Sequence, residues 1–218
     1  MTKTIDKLGD PVSRRRFMAL TGGSAATAAF LAACGDDDDS TTTTAMGGGG
    51  GGEEAALEQF GKGDVGILNY ALTLEYLEDD FYKDVVASGL FKGSDLATIE
   101  KFGRSEAEHV AALKGFVRSA GAKPAPKPKT EFPLEDAKSV LELAATVENL
   151  GAAAYLGQAP NIKSRSVLAA ALSIHSVEGR HSAALNTLLG KTIVPDGAFA
   201  KPTAASTVLK SVEPFIVG

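Results

Sequence analysis

The chain of 218 residues carries 22 lysines and arginines against 27 aspartates and glutamates, a formal net charge of -5 at neutral pH. Its first 33 residues hold five basic and two acidic side chains, so the remainder stands at -8, a charge unsuited to binding nucleic acid. One cysteine allows no internal disulfide, and no segment beyond the first 33 residues has an apolar run long enough to cross a bilayer.

Residues 1–33 run from a basic region, Ser13-Arg14-Arg15-Arg16-Phe17-Met18, into a stretch of small apolar residues from Ala19 to Ala33. This is the layout of an export signal, with an apolar part too short for a spanning helix. Arg14 and Arg15 ahead of Phe17 resemble the signal of the twin-arginine export machinery, which carries folded proteins. Leu31-Ala32-Ala33-Cys34 resembles a bacterial lipobox, in which the cysteine is acylated and becomes the first mature residue. A buried core cysteine is disfavoured, because Asp36 to Asp39 follow almost at once. The expectation is a protein exported and anchored at the outer face of the cell membrane by lipid on Cys34.

Residues 34–63 are then expected to form a tether. From Gly35 to Gly52 the chain is mostly Asp, Ser, Thr and Gly, with almost nothing to bury in return for its ordering entropy. Fully extended, this piece would reach roughly 60 Å. Residues 64–218 are enough for one domain that buries about two thirds of its surface.

Four long helical patterns fill that domain. The first, about 64–86, returns apolar residues at threes and fours through Ile67, Leu68, Ala71, Leu74, Phe81 and Val85, and Gly89 punctuates its end. The second, to about 120, is expected to start at a cap formed by Ser94-Asp95, with Ile99, Phe102, Ala112, Leu113, Phe116 and Val117 on its apolar side. Gly121 to Pro128 holds three prolines and reads as a long, partly extended crossover. The third helix is expected over about 134–156, closed by Gly157 and Pro160, and the fourth over about 164–189, ending at Gly190. In the tail, 204–212 has the pattern of a short helix, and nothing alternates for long enough to propose a sheet. The fold class is therefore all-α, a four-helix bundle of the up-down, crossover, up-down kind with its long connection between helices two and three.

One pattern occurs twice along these helices. Glu75 is followed at seven by Tyr82, and Glu106 at three by His109; Glu148 is followed at seven by Tyr155, and Glu178 at three by His181. The lone glutamates lie 73 residues apart and the Glu-x-x-His pairs 72 apart. Positions seven apart on a helix point almost the same way, and positions three apart differ by about 60°, so both members of each pair can serve one site. Val110-Ala111-Ala112-Leu113 also matches Ser182-Ala183-Ala184-Leu185, as expected of a diverged internal duplication. Four carboxylates offset the charge of two close cations and bridge them, while one imidazole per ion leaves coordination positions open. Glu78 lies one turn beyond Glu75 and is an alternative ligand; its counterpart in the second half is Gly151, whereas Glu75 maps onto Glu148, which favours Glu75. His175 has Gly103 as its counterpart and is expected beside the site or at the surface. Tyr82 and Tyr155 are either hydrogen-bond donors to the ligand carboxylates or core tyrosines with one polar tip. A metal-free bundle with these residues buried as ion pairs is the competing reading.

Leu68 to Glu78 with Phe81-Tyr82, Glu106 to Leu113, Val147 to Gly151 with Tyr155-Leu156-Gly157, and Glu178 to Leu185 resemble the four helices of the bacterial ferritin-like domain family that includes desiccation-related proteins. Pro195 to Phe199 and Val212 to Ile216 fit the tail of that family. The resemblance implies a ferritin-like bundle with metal ligands at Glu75, Glu106, His109, Glu148, Glu178 and His181, holding two iron or two manganese ions. It implies no settled reaction. The function expected is redox chemistry with oxygen, peroxide or ferrous iron in stress protection, on a lipid-tethered protein that is compatible with small homo-oligomers. The alternative is a metal-free structural or partner-binding envelope protein linked to desiccation tolerance.

Overall fold

Apolar returns at threes and fours become four long helices in a computed structural model, which describes residues 55–217. Arg14, Arg15, Cys34 and the glycine-rich part of the tether lie outside the described residues. The helices are α1 (Gly63–Ser88), α2 (Gly93–Ser119), α3 (Ala137–Gln158) and α4 (Arg165–Leu188), followed by the short α5 (Ala205–Val212). No helix among the described residues is long and apolar enough to cross a membrane.

Sequence-local chemistry sets most of the helix ends. Gly89 closes α1 in the left-handed conformation, with φ 71°, which costs glycine little. Asp136 opens α3 with a full capping box, its side chain accepting from Lys138 N and Ser139 N. The helix therefore begins after Pro133-Leu134-Glu135, later than its apolar pattern implied. Ser94 and Asp95 do not cap α2: the N-cap is Lys92, with no side-chain cap bond, and Asp95 sits in the first turn, where its charge favours the helix dipole. Ala112, expected on the apolar side of α2, is exposed.

Helix α1 packs along α2 and α3 packs along α4, and the two hairpins meet through α1 against α3 and α2 against α4. The core forms two apolar layers. One contains Leu68, Leu72, Val110, Leu113, Val117, Val167 and Ile174, and the other Phe81, Val85, Ile99, Phe102, Val140 and Leu185. Leu72 and Leu185 are wholly buried; truncating either to alanine would cost about 2–5 kcal/mol. The polar residues of the repeated pattern lie between these layers along the helices.

The crossover, residues 121–136, is fixed along α1. Asn69 donates to the Phe60 and Lys123 carbonyls at 3.0 and 3.5 Å and accepts from Ala125 N at 2.8 Å. Asp80 holds Lys127 and Thr130 farther along. Thr130 makes an isolated antiparallel bridge with Ile216, so the crossover also pins the end of the tail. Residues 55–58, inside the stretch expected as tether up to residue 63, form a helical turn, and Ala56, Leu57 and Phe60 pack on the core. Three apolar side chains give this stretch something to bury, unlike the glycine run before it.

Gly157 does not stop α3. The helix continues past it to Gln158, and the tail crosses there, with Thr203 N donating to Ala153 O at 3.0 Å. A side chain at Gly157 would collide with the Thr203 carbonyl. Beyond the crossing, α5 lays Ala205, Val208 and Val212 against Tyr70, Leu74, Leu77 and Ala154.

Candidate metal centre

Each of the four long helices delivers one glutamate to the space between the apolar layers. Glu75, Glu106, Glu148 and Glu178 are all fully buried, and His181 is 6% exposed. Their acceptor atoms and the two imidazoles fall into two overlapping groups, Glu75, Glu106, His109 and Glu178, and Glu106, Glu148, Glu178 and His181. Within each group the candidate ligand atoms lie within 4.8 Å of one another. Glu106 and Glu178 belong to both, the placement required of bridging carboxylates, while each group has its own glutamate and its own histidine.

The histidines reach across helices. His109 Nδ1 is 2.7 Å from Glu106 Oε2, 3.1 Å from Glu75 Oε2 and 3.2 Å from Glu178 Oε1. His181 Nδ1 is 2.9 Å from Glu106 Oε1 and 3.1 Å from Glu148 Oε2. A single ring nitrogen directs one proton or one lone pair, so it cannot satisfy three carboxylates at once. Glu106 Oε1 and both oxygens of Glu178 are in fact buried without an aligned hydrogen bond, despite lying near the imidazoles. Unpaired buried carboxylate oxygens are costly, and cations at the two points of convergence would satisfy them. The donor set of hard oxygens and imidazole nitrogens suits divalent first-row metal ions.

The tyrosines connect the halves. Tyr82 on α1 donates to Glu148 Oε1 on α3, and Tyr155 on α3 donates to Glu75 Oε1 on α1 at 2.5 Å. Each phenol thus orients the carboxylate of the opposite copy, not the one seven residues before it. Phe102, legible in the sequence only as a core residue, lies with its ring centroid 4.3 Å from that of His181 and limits its rotation. His175 touches no ligand side chain among its described contacts; its ring N–H donates to the Ala152 carbonyl at 2.9 Å and ties α4 to α3. Glu108, next to His109 in sequence, is exposed and takes no part in the cluster.

Burial and mutual repulsion force protons into this cluster when no cation balances it. Burial first, then the Glu178 charge, pushes the Glu75 carboxyl up to about 8, with His109 opposing. Burial and then the Glu106 charge raise Glu148 well above the ordinary carboxylate range, with its contacts to Glu178 and Tyr82 opposing; burial and then the Glu148 charge raise Glu178 likewise, with His109 opposing. Burial alone would lower His109, but its bonds to Glu106, Glu178 and Glu75 outweigh it and push the imidazole up to about 12. Burial would raise Glu106, yet its bonds to His109 and His181 hold it below the usual value. Burial and the adjacent carboxylates push both phenols well up, so Tyr82 and Tyr155 keep their protons.

Glu75, not Glu78, is the α1 carboxylate in the converging groups. Glu78 is nevertheless only 3% exposed. A β-carbon built at Gly151 would lie 2.8 Å from Glu78 Oε1 and 3.2 Å from Glu178 Oε2. Gly151 thus gives Glu78 the room to enter the bundle.

A four-helix bundle with a crossover after its second helix, carrying a glutamate and a Glu-x-x-His in each half, defines the ferritin-like class. The ferritin-like domain family matches residues 63–191, and the chain belongs to that family. Among solved structures it is similar to the crystal structure of a conserved hypothetical protein, rv2844, from Mycobacterium tuberculosis. That likeness has a TM-score of 0.54 at 16% identity over 63% of this chain and 93% of the other, and it bears on the fold alone. No curated protein matches the chain.

Proposed function

We propose that this protein is an exported, lipid-anchored member of the ferritin-like family whose buried centre binds two iron or two manganese ions and serves redox protection against stress. The observation that carries this reading is the sharing of Glu106 and Glu178 between two ligand groups, each completed by its own glutamate and histidine. Ions held there supply electron exchange with oxygen, peroxide or ferrous iron. The chain's own residues do the rest. Glu106 and Glu178 span both positions, Glu75 with His109 and Glu148 with His181 close the two ends, and the apolar layers keep bulk water away. Tyr82 and Tyr155 hold Glu148 and Glu75 in place through hydrogen bonds from their phenolic hydroxyls. Protons held by the cluster would leave as cations enter, so loading is expected to be favoured by rising pH.

Export through the twin-arginine machinery and acylation of Cys34 rest on the leader alone. They would place the centre outside the cytoplasm on a lipid tether, where small oligomers fit better than a closed storage cage.

Metal analysis of natively purified protein tests the proposal directly. The expected result is about two ions per chain, lost in the double substitution Glu106→Ala with Glu178→Ala while the helical bundle persists. Metal-free native protein, or a double variant that keeps its ions, would overturn the reading in favour of a structural or partner-binding role. With metal present, peroxide consumption and ferrous oxidation compared against buffer assign the reaction.

A further inference from the structure

We propose that Glu78 is a seventh metal ligand and the fifth carboxylate of the centre, admitted by the absence of a side chain at Gly151; this rests on the metal-binding reading above. A helix position one turn after a ligand could face solvent, and Glu78 does not. Its side chain is almost fully buried, and among the described residues no protein group is recorded in a hydrogen bond with its carboxylate. A buried carboxyl that meets no protein donor is left to a proton, a water or a cation.

Gly151 shows where that partner belongs. The point at which its β-carbon would stand lies 2.8 Å from Glu78 Oε1 and 3.2 Å from Glu178 Oε2, so the two carboxylates flank one small space on the α3 side of the centre. Glu178 is one of the two residues shared by both ligand groups. A carboxylate reaching past Gly151 toward Glu178 is therefore directed at the ions that Glu178 would bridge.

Space exists on the other side. Glu78 and Gly151 also line a cavity enclosed by Leu74, Leu77, Val147, Leu150 and the α5 residues Val208 and Val212. It is of the size that holds about one water molecule. The duplication makes the arrangement one-sided: Glu78 has only Gly151 opposite it in the other half, and a second carboxylate there would occupy the same space.

The test is titration of metal-stripped full-length protein with Mn(II), read by calorimetry and by the EPR signal of bound ion, for wild type, Glu78→Gln, Gly151→Ala and the exposed control Glu108→Gln. Glu78→Gln preserves shape and removes the charge. Gly151→Ala favours the helix while placing a methyl in the path of Glu78. The expected result is that both weaken at least one ion by about tenfold or more and alter its EPR spectrum, with Glu108→Gln unchanged. Crystals of the Mn(II)-loaded wild type give a second readout independent of any variant, with a Glu78 oxygen at about 2.2 Å from an ion. Two ions bound by both variants with affinity and spectrum like wild type, or a Glu78 carboxylate out of reach of the ions, would overturn the role of Glu78 and leave the centre standing. Failure of the wild type to bind Mn(II), Fe(II) or Co(II) would overturn both.

Discussion

Removing metal and raising the pH should weaken this protein, against the usual behaviour of a domain rich in carboxylates. The Glu75 carboxyl stands at about 8 in the fold against 4.5 for the free side chain. Between those limits the folded chain keeps a proton that the unfolded chain has released, so rising pH favours unfolding. One such proton is worth about 1 kcal/mol per pH unit. Glu78, Glu148 and Glu178, all raised, act in the same direction. So does His109, whose imidazole at about 12 keeps its proton in the fold after the unfolded chain begins to lose it near 6.5. Glu106 is lowered and acts oppositely, but only below 4.5. From pH 5.5 to 7.5 the loss through Glu75 alone is about 2–3 kcal/mol, a fall of roughly 1 M in the urea midpoint at an ordinary slope. The assay is urea unfolding of EDTA-treated protein followed by helical circular dichroism at several pH values, with Glu75→Gln alongside. The variant should lose about one proton's share of the slope, and metal-loaded wild type should hold or gain stability as pH rises. A midpoint in stripped wild type that stays level or climbs across this window would refute the electrostatic account of the cluster.

Other perturbations follow from single contacts. Tyr82→Phe deletes the donor to Glu148; metal titration should show weakening of about tenfold with the bundle intact. Gly157→Ala drives a methyl into the Thr203 carbonyl where the tail crosses α3; urea unfolding should show a loss of about 1–3 kcal/mol, and limited proteolysis should begin in residues 190–204. Labelled fatty acid should enter the wild type in bacterial cells and be absent from Cys34→Ala, and equal labelling of both would reject acylation at that residue.

The long helices were legible because their apolar residues recur with the helical period over six or more turns, which single polar interruptions cannot hide. Their caps were less so. Ser94-Asp95 has the composition of a cap, yet the chain enters the helix at Gly93, and only the backbone path decides which residue stands outside the first turn. The six converging side chains could be picked out because duplication supplied an internal comparison between Glu75 and Glu148 and between the two Glu-x-x-His pairs. Gly151 opposite Glu78 counted in favour of Glu75, which is the α1 carboxylate in the converging groups; that the missing side chain at Gly151 also leaves room for Glu78 is visible only in three dimensions. Pairing by sequence grouped Tyr82 with Glu75 and Tyr155 with Glu148; the interhelical geometry exchanges the partners. His175 offered the same side-chain chemistry as the other histidines, and only its direction toward the Ala152 carbonyl separates it from them.

The exchange of tyrosines has a consequence for how the two halves depend on each other. Neither hairpin is a self-sufficient unit: α1 with α2 supplies a phenol whose acceptor lies in the second copy, and α3 with α4 returns the same dependence. A protein cut in the crossover would yield two fragments, each with half the ligands and a tyrosine lacking its carboxylate. Because Glu106 and Glu178 belong to both ligand groups, an ion held in one group would preset oxygen atoms of the other, and under the proposed two-ion reading loading would be cooperative.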